Sequence, residues 1–297
     1  MRIASLAIVS MLLSSMTLAQ SAPESVYAPP ELPTEADGTN LGAVHMELSL
    51  TYFTDYVYRG VEVFEVPGPE DQLNLQIDSK VSFDLGKLPH PFVSVFVNVA
   101  EDDPISDFQE IRPVVGFDWT VKPVVVSAGY VGYIYPDRDD LSTSEAFLKI
   151  ALDENVLFGG QTVPAPYVKG AYDFDLYDGM YLEAGIEYKL KFEDIGLTLN
   201  FMGNVAYVSG WKSQIETDTG PLPGFFTTTL TDEDTIDGLQ HWQVGVVGEY
   251  SLNDLFNFST RYGDWSLRGY LFYTTDFDEK INATDQIWGG GGITFRY

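Results

Sequence analysis

LNLQIDSKVSFDL, residues 73–85, places Leu73, Leu75, Ile77, Ser79, Val81, Phe83 and Leu85 on one parity and Asn74, Gln76, Asp78, Lys80, Ser82 and Asp84 on the other. Successive side chains of an extended chain point to opposite faces, so this is a strand with one apolar and one hydrophilic side. Its length decides the reading. Ordinary strands have about five or six residues, whereas a tilted strand that crosses a bilayer needs about nine to eleven. Equally long rows recur at Val44, Met46, Leu48, Leu50 and Tyr52, and at Leu182, Ala184, Ile186, Tyr188, Leu190 and Phe192.

Working outward from these rows, the alternation predicts about twelve strands, with a range of ten to fourteen, near residues 43–58, 71–85, 91–100, 107–119, 123–134, 144–152, 163–173, 180–192, 195–209, 239–251, 264–275 and 285–297. Residues 251–264 leave room for one more short hairpin. An even count of long amphipathic strands implies an all-β fold, a transmembrane antiparallel up-and-down β-barrel. The connections alternate as such a barrel requires. Short ones are expected at 86–90, 120–122, 193–194 and 252–254, and longer, acidic ones at 60–70, 101–106, 135–143, 210–238 and 276–284. The junctions at 153–162 and 174–179 break this rhythm, the first being too long for its place and the second too short.

The flanking sequence agrees with an exported barrel. Arg2, the apolar run from Ile3 to Leu13, and the small residues Thr17 and Ala19 read as an export signal over 1–19. Residues 20–42, with Pro23, Pro29, Pro30 and Pro33, read as a flexible Pro-rich leader, and 43–297 as the barrel. After the signal no run of about eighteen apolar residues occurs, so the sequence offers no membrane-crossing helix. Since bilayers are crossed only by helices or closed barrels, the strands must do it. The chain has no Cys, and a net charge of -28, which argues against nucleic acid as a partner. Its 14% aromatic content argues against disorder. Aromatics gather where strands should pass the head groups of outer-membrane lipids: Tyr52, Tyr56 and Tyr58, Tyr133 and Tyr135, Tyr207 and Trp211, Trp242, Trp265, Phe295 and Tyr297.

Thr54-Asp55-Tyr56-Val57-Tyr58-Arg59-Gly60-Val61 resembles the opening signature of the TorF-type outer-membrane porin family, in which such a stretch ends the first strand. The resemblance covers about eight residues closely and the strand rhythm loosely. It implies a porin-like barrel in the cell outer membrane, with closely related uncharacterised barrel families as the alternative. The ending Ile293-Thr294-Phe295-Arg296-Tyr297 is similar to the last-strand signal by which barrel-assembly machinery recognises its clients.

If the apolar parity faces lipid, its neighbours face the lumen. Arg59, Lys80, Arg112, Glu183, Glu187 and Lys189 are then candidate pore-lining residues. Basic and acidic residues are nearly balanced on this inner parity, so almost all the net negative charge falls on loops, turns and leader. Carboxylates outside the wall should draw cations to the mouths over a Debye length of about 8 to 10 Å. The expected function is passive diffusion of small hydrophilic solutes with a weak cation preference. The alternative is a non-conducting barrel that acts as adhesin, receptor or structural protein. Whether residues 210–238 fold inward is left open.

An enzyme is not expected. His45, His90 and His241 have no Ser two residues on and no metal-ligand spacing to one another. No cofactor and no resident metal are implied. Acidic runs at 101–103, 137–140 and 232–234 have no fixed calcium-loop spacing and read as solvated loops that gather divalent ions. Gly289 to Gly292 lie before no helix, so they read as curvature or close packing in the closing strand.

Overall fold

The computed structural model describes residues 43–54, 56–63, 74–100, 109–136, 138–152, 164–217, 220–223, 225–226, 234–277 and 285–297. In chain order its strands are β1 (Val44–Phe53), β2 (Val57–Tyr58), β3 (Val61–Glu62), β4 (Asn74–Phe83), β5 (His90–Ala100), β6 (Gln109–Val121), β7 (Val124–Tyr133) and β8 (Thr143–Leu152). They continue with β9 (Ala165–Asp173), β10 (Met180–Phe192), β11 (Leu197–Lys212), β12 (Gln214–Thr217), β13 (Gly220–Pro223), β14 (Thr235–Ser251), β15 (Asp264–Asp276) and β16 (Asp285–Arg296). Among the described residues twelve of these close into an antiparallel barrel, each beside its neighbour in the chain. The ring shuts where β1 pairs with β16, from Glu47 opposite Arg296 to Phe53 opposite Gly290. The expected signal and leader, residues 1–42, lie outside the described residues, as does the 153–162 junction.

Exposure shows which face of the wall is which. Along β1, Val44, Met46, Leu48, Leu50 and Tyr52 are 38–51% exposed, while Ser49 and Thr51 between them are 6% and 5% exposed. The apolar row is on the outside and the hydroxyl row inside. A soluble sandwich would reverse this arrangement, because water rewards the opposite orientation.

Both chain ends of the barrel, Val44 and Tyr297, lie at one rim, the terminus end, with the turns after β4, β6, β10 and β14. Residues 251–264 hold no further hairpin. Ser251 Oγ caps a short helix, α1 (Leu252–Phe256), by accepting from the Asp254 N–H at 3.1 Å. Asn253 ties the segment down, accepting from the Trp265 N–H at 2.6 Å and donating to the Gly263 carbonyl at 3.0 Å.

At the opposite, loop end, the short 174–179 connection is organised by Asp173. Its Oδ1 accepts from the N–H groups of Asp175, Tyr177 and Asp178, and its Oδ2 accepts from Thr143 at 2.6 Å. A fully buried carboxylate that satisfies several loop amides replaces the length that the loop lacks.

The glycine run in β16 serves close packing. A Cβ on Gly290 would overlap the Phe53 ring, which is buried in the lumen with Tyr270, Phe272 and Trp288.

Candidate functional site

The lumen holds the concentrated polar chemistry, and the stretch expected to finish the first strand turns into it instead. β1 stops at Phe53, and the chain then turns inward as the β2–β3 hairpin, with Val57 opposite Glu62 and Tyr58 opposite Val61. Its two turn residues, Arg59 at φ 51° and Gly60 at φ 73°, are both left-handed, as a two-residue hairpin turn of the primed type requires. A side chain at Gly60 would overlap the His241 ring. Tyr56 and Tyr58 are therefore buried inside rather than set in the head-group girdle, because an aromatic ring satisfies either environment and their parity continues that of a strand.

The hairpin spans the bore. Tyr56 accepts a hydrogen bond from Arg112 on β6 at 2.7 Å, and Tyr58 is hydrogen-bonded to Tyr133 on β7. Arg59 makes two parallel bonds to Glu145 on β8, at 2.6 Å each, and its guanidinium lies 4.3 Å from the Tyr181 ring of β10. A non-glycine residue in the left-handed region costs about 1–2 kcal/mol, so the ion pair must hold Arg59 there. Such a buried pair is close to neutral when made, but expensive to leave half-made, about 3–5 kcal/mol. It fixes where the hairpin sits more than it adds to stability.

A second segment enters from the other side. After Gly210, at φ 62°, β11 carries Trp211 inside, and the β12–β13 hairpin leads to Phe225 and Phe226. Phe226 is fully buried against Trp211, 4.8 Å between ring centres, and against Tyr181 at 6.2 Å. Phe225 meets the hairpin at Tyr58, 5.8 Å away. Within residues 210–238, Phe225 and Phe226 thus fold inward, residues 210–212 and 235–238 belong to the wall strands β11 and β14, and residues 218–219, 224 and 227–233 lie outside the described residues. Trp211 and Tyr133, expected in the girdle, belong to this filling. Tyr52, Tyr207, Trp265 and Tyr297 are exposed on the outer wall, joined at the terminus end by Phe256, Phe258 and Tyr262.

Beneath the aromatic layer lies a partly open chamber, with about 740 Å³ of empty space when the solvent it opens to is counted. Its walls carry the cations Arg59, Lys80, Arg112, Lys149 and Lys169. Three carboxylates face it, Asp118, Glu145 and Glu183, between apolar panels of Phe92, Val114, Val131 and Phe147. Lys80 pairs with Asp118 at 3.0 Å, and Lys149 with Glu187 at 3.3 Å. Glu183 accepts from Tyr167 at 2.6 Å and from Tyr181 at 2.8 Å.

Of the six candidate pore-lining residues, Arg59, Lys80, Arg112 and Glu183 line this chamber. Arg59 does so from the inward turn, not from the wall. Glu187 sits at its edge through Lys149, and Lys189, half-buried nearer the terminus end, does not line it. The aromatic share of the lining was not foreseen. Its signal lies in β5, where Phe92 and Phe96 share their parity with Ser94 and Asn98.

Toward the terminus end the lumen becomes wetter. Along the inner face of β10, Glu183 is buried, Glu187 and Lys189 are half-buried and Lys191 is exposed. There Glu47, Glu249, Arg268 and Arg296 form a four-membered ion cluster across β1, β14, β15 and β16, with contacts of 2.5–3.3 Å. It bridges the seam where the first and last strands meet.

The histidines are dispersed. His90 is buried at the turn end of β5 with Nε2 2.9 Å from the Gly86 carbonyl, His241 lies beside Gln240 under the hairpin, and His45 is half-buried near the terminus rim. Among the described residues no group of three or more His, Asp or Glu is placed to hold a metal ion, and no helix is long and apolar enough to cross a membrane. Of the acidic runs, Asp140 binds Arg138 at 3.0 and 3.2 Å, while 101–103, 137 and 232–233 lie outside the described residues.

No protein-family model matches the chain, and no curated protein matches its sequence, so the likeness of residues 54–61 to TorF-type porins stays local. Among solved structures, an outer-membrane channel from Pseudomonas putida F1 is similar in shape, with a TM-score of 0.48 and 10% identity over 89% of this chain and 98% of that one. The reading of the lumen rests on this chain's own residues.

Proposed function

We propose that this protein is an outer-membrane channel for small hydrophilic solutes whose loop end is closed, in the state described, by two inward segments. One observation carries the reading: the barrel is inside out relative to a soluble protein, with Leu48, Leu50, Leu182 and Ile186 exposed outside and charged side chains around a chamber within. Exposed apolar rows of this extent need hydrocarbon to cover them. Outer-membrane lipids are the partner that fits, and β16, paired to β1 and ending in aromatics, is the strand through which barrel-assembly machinery would act. The surplus of carboxylates outside the lumen wall favours a weak cation preference at low ionic strength, lost as salt screens it.

Planar-bilayer recording of refolded protein is the test, with discrete conductance steps expected. A folded, heat-modifiable barrel that never conducts, even when the inward segments are removed, would end the channel reading.

The filled loop end favours a second reading, a non-conducting barrel that serves as adhesin, receptor or structural element. Deleting residues 214–226 separates the two. A larger conductance supports the channel, and lost partner binding with no current supports the receptor.

A further inference from the structure

The hydrogen-bonding capacity facing the chamber is lopsided. Every carboxylate oxygen on its wall already accepts. Asp118 takes Ser127 and Lys80, Glu145 takes both arms of Arg59 and the Tyr133 hydroxyl, and Glu183 takes two tyrosines. Lys80 and Lys149 are less engaged. An ammonium has three donors, yet Lys80 makes one hydrogen bond, to Asp118, and Lys149 one, to Glu187. Lys149 also stands directly opposite Lys169 across the β8–β9 ladder, and Glu183 stands opposite Lys169 on the β10 side. Glu187 at Lys149 and Glu110 at Arg112 lie outside the lining and bring the carboxylates to five against its five cations, so what is left over is donor capacity rather than net charge.

The rest of the wall is apolar and aromatic. Lys80 Nζ lies 3.9 Å from the Phe92 ring centre and Lys149 Nζ 4.2 Å from that of Tyr167, so donors and rings are interleaved.

We propose that the chamber binds a small organic anion, a carboxylate on a compact apolar body, with its charge toward Lys80, Lys149 and Lys169 and its body against Phe92 and Phe147. This gives the solute class of the proposed channel and to that extent rests on it. The acidic exterior acts at the mouths and is screened by salt, whereas the chamber acts where water is scarce, so the two signs coexist.

The full chain, refolded in detergent at about 0.15 M salt, is titrated calorimetrically with sodium benzoate, and with benzyl alcohol and benzylammonium as neutral and cationic counterparts. Saturable benzoate binding is expected, at least about tenfold tighter than either counterpart. The double variant Lys149→Gln/Lys169→Gln should weaken benzoate about tenfold or more, Lys149→Arg/Lys169→Arg should largely restore it, and Lys191→Gln, at the exposed rim, should leave it unchanged. Lys80→Gln provides a second loss-of-binding variant should the double variant fail to show heat-modifiable migration. Benzoate binding that is absent, no tighter than benzyl alcohol, or indifferent to both Lys80→Gln and the double variant overturns the proposal. A barrel that binds benzoate but never conducts overturns only the channel; one that conducts without binding benzoate overturns only this site.

Discussion

Arg59 Nη1 and Nη2 donate to the two carboxylate oxygens of Glu145 at 2.6 Å each, with 2% and 3% of the two side chains exposed. The pair joins the turn of the inward hairpin to the far wall of the barrel, in a lumen where neither charge could be left alone. A strand-like sequence is thereby held across the bore.

Removing one partner should therefore do more than removing both. Arg59→Ala or Glu145→Ala strands a buried charge at a cost of about 3–5 kcal/mol, so the hairpin should undock and bilayer conductance should rise. The double variant Arg59→Met/Glu145→Met should stay nearer the parent in conductance and in urea midpoint. Equal behaviour of the single and double variants would mean the pair does not position the hairpin.

Gly60→Val tests the same docking without touching a charge. It places a β-branched residue at φ 73° and drives its side chain into His241. Residues 56–63 should become sensitive to limited proteolysis in the refolded barrel and the open-channel current should grow. Persistent protection with unchanged current would contradict the placement of this turn.

Ile186 and Glu187 are neighbours on opposite faces of β10, with Ile186 46% exposed. Ile186→Arg should destabilise the barrel in liposomes by about 2–4 kcal/mol, as arginine does on a lipid-facing wall near mid-depth. Glu187→Gln should cost about 1 kcal/mol or less, its loss confined to the contact with Lys149. The order of the two urea midpoints decides whether the apolar row meets hydrocarbon.

Arg296 reaches Glu249 at 2.5 and 3.0 Å and Glu47 at 3.2 Å, and so ties the last strand to β14 and β1. Its side chain is 34% exposed, which limits the effect. Arg296→Gln should lower stability by about 1 kcal/mol, and less at high salt. A salt-independent loss would point to packing rather than to the ion cluster.

Much of the wall was legible because alternation is a local property. The span expected for the eighth long strand, 180–192, coincides with β10 at both ends, and all twelve expected spans correspond to barrel strands. The failures share one cause. At Tyr56, Tyr58, Tyr133 and Trp211 an aromatic residue at a strand end fits a head-group belt and a packed lumen equally well. At residues 251–264, where the sequence leaves room for a further short hairpin, the connection is set by the Ser251 cap on Asp254 and by Asn253 bonds that reach forward to Gly263 and Trp265, contacts that a local pattern does not display.

Read by itself, the sequence determined the strand rhythm, the even number of crossings and which parity is greasy, since each follows from neighbours a few residues apart. Only the tertiary structure decided that the chain after Phe53 leaves the wall, that Phe225 meets Tyr58, and that Lys149, Lys169 and Lys80 face one chamber. Those arrangements join residues far apart in the chain, and they arise because a closed ring of this size encloses a space whose upper part must be packed by whatever the loops can send inward.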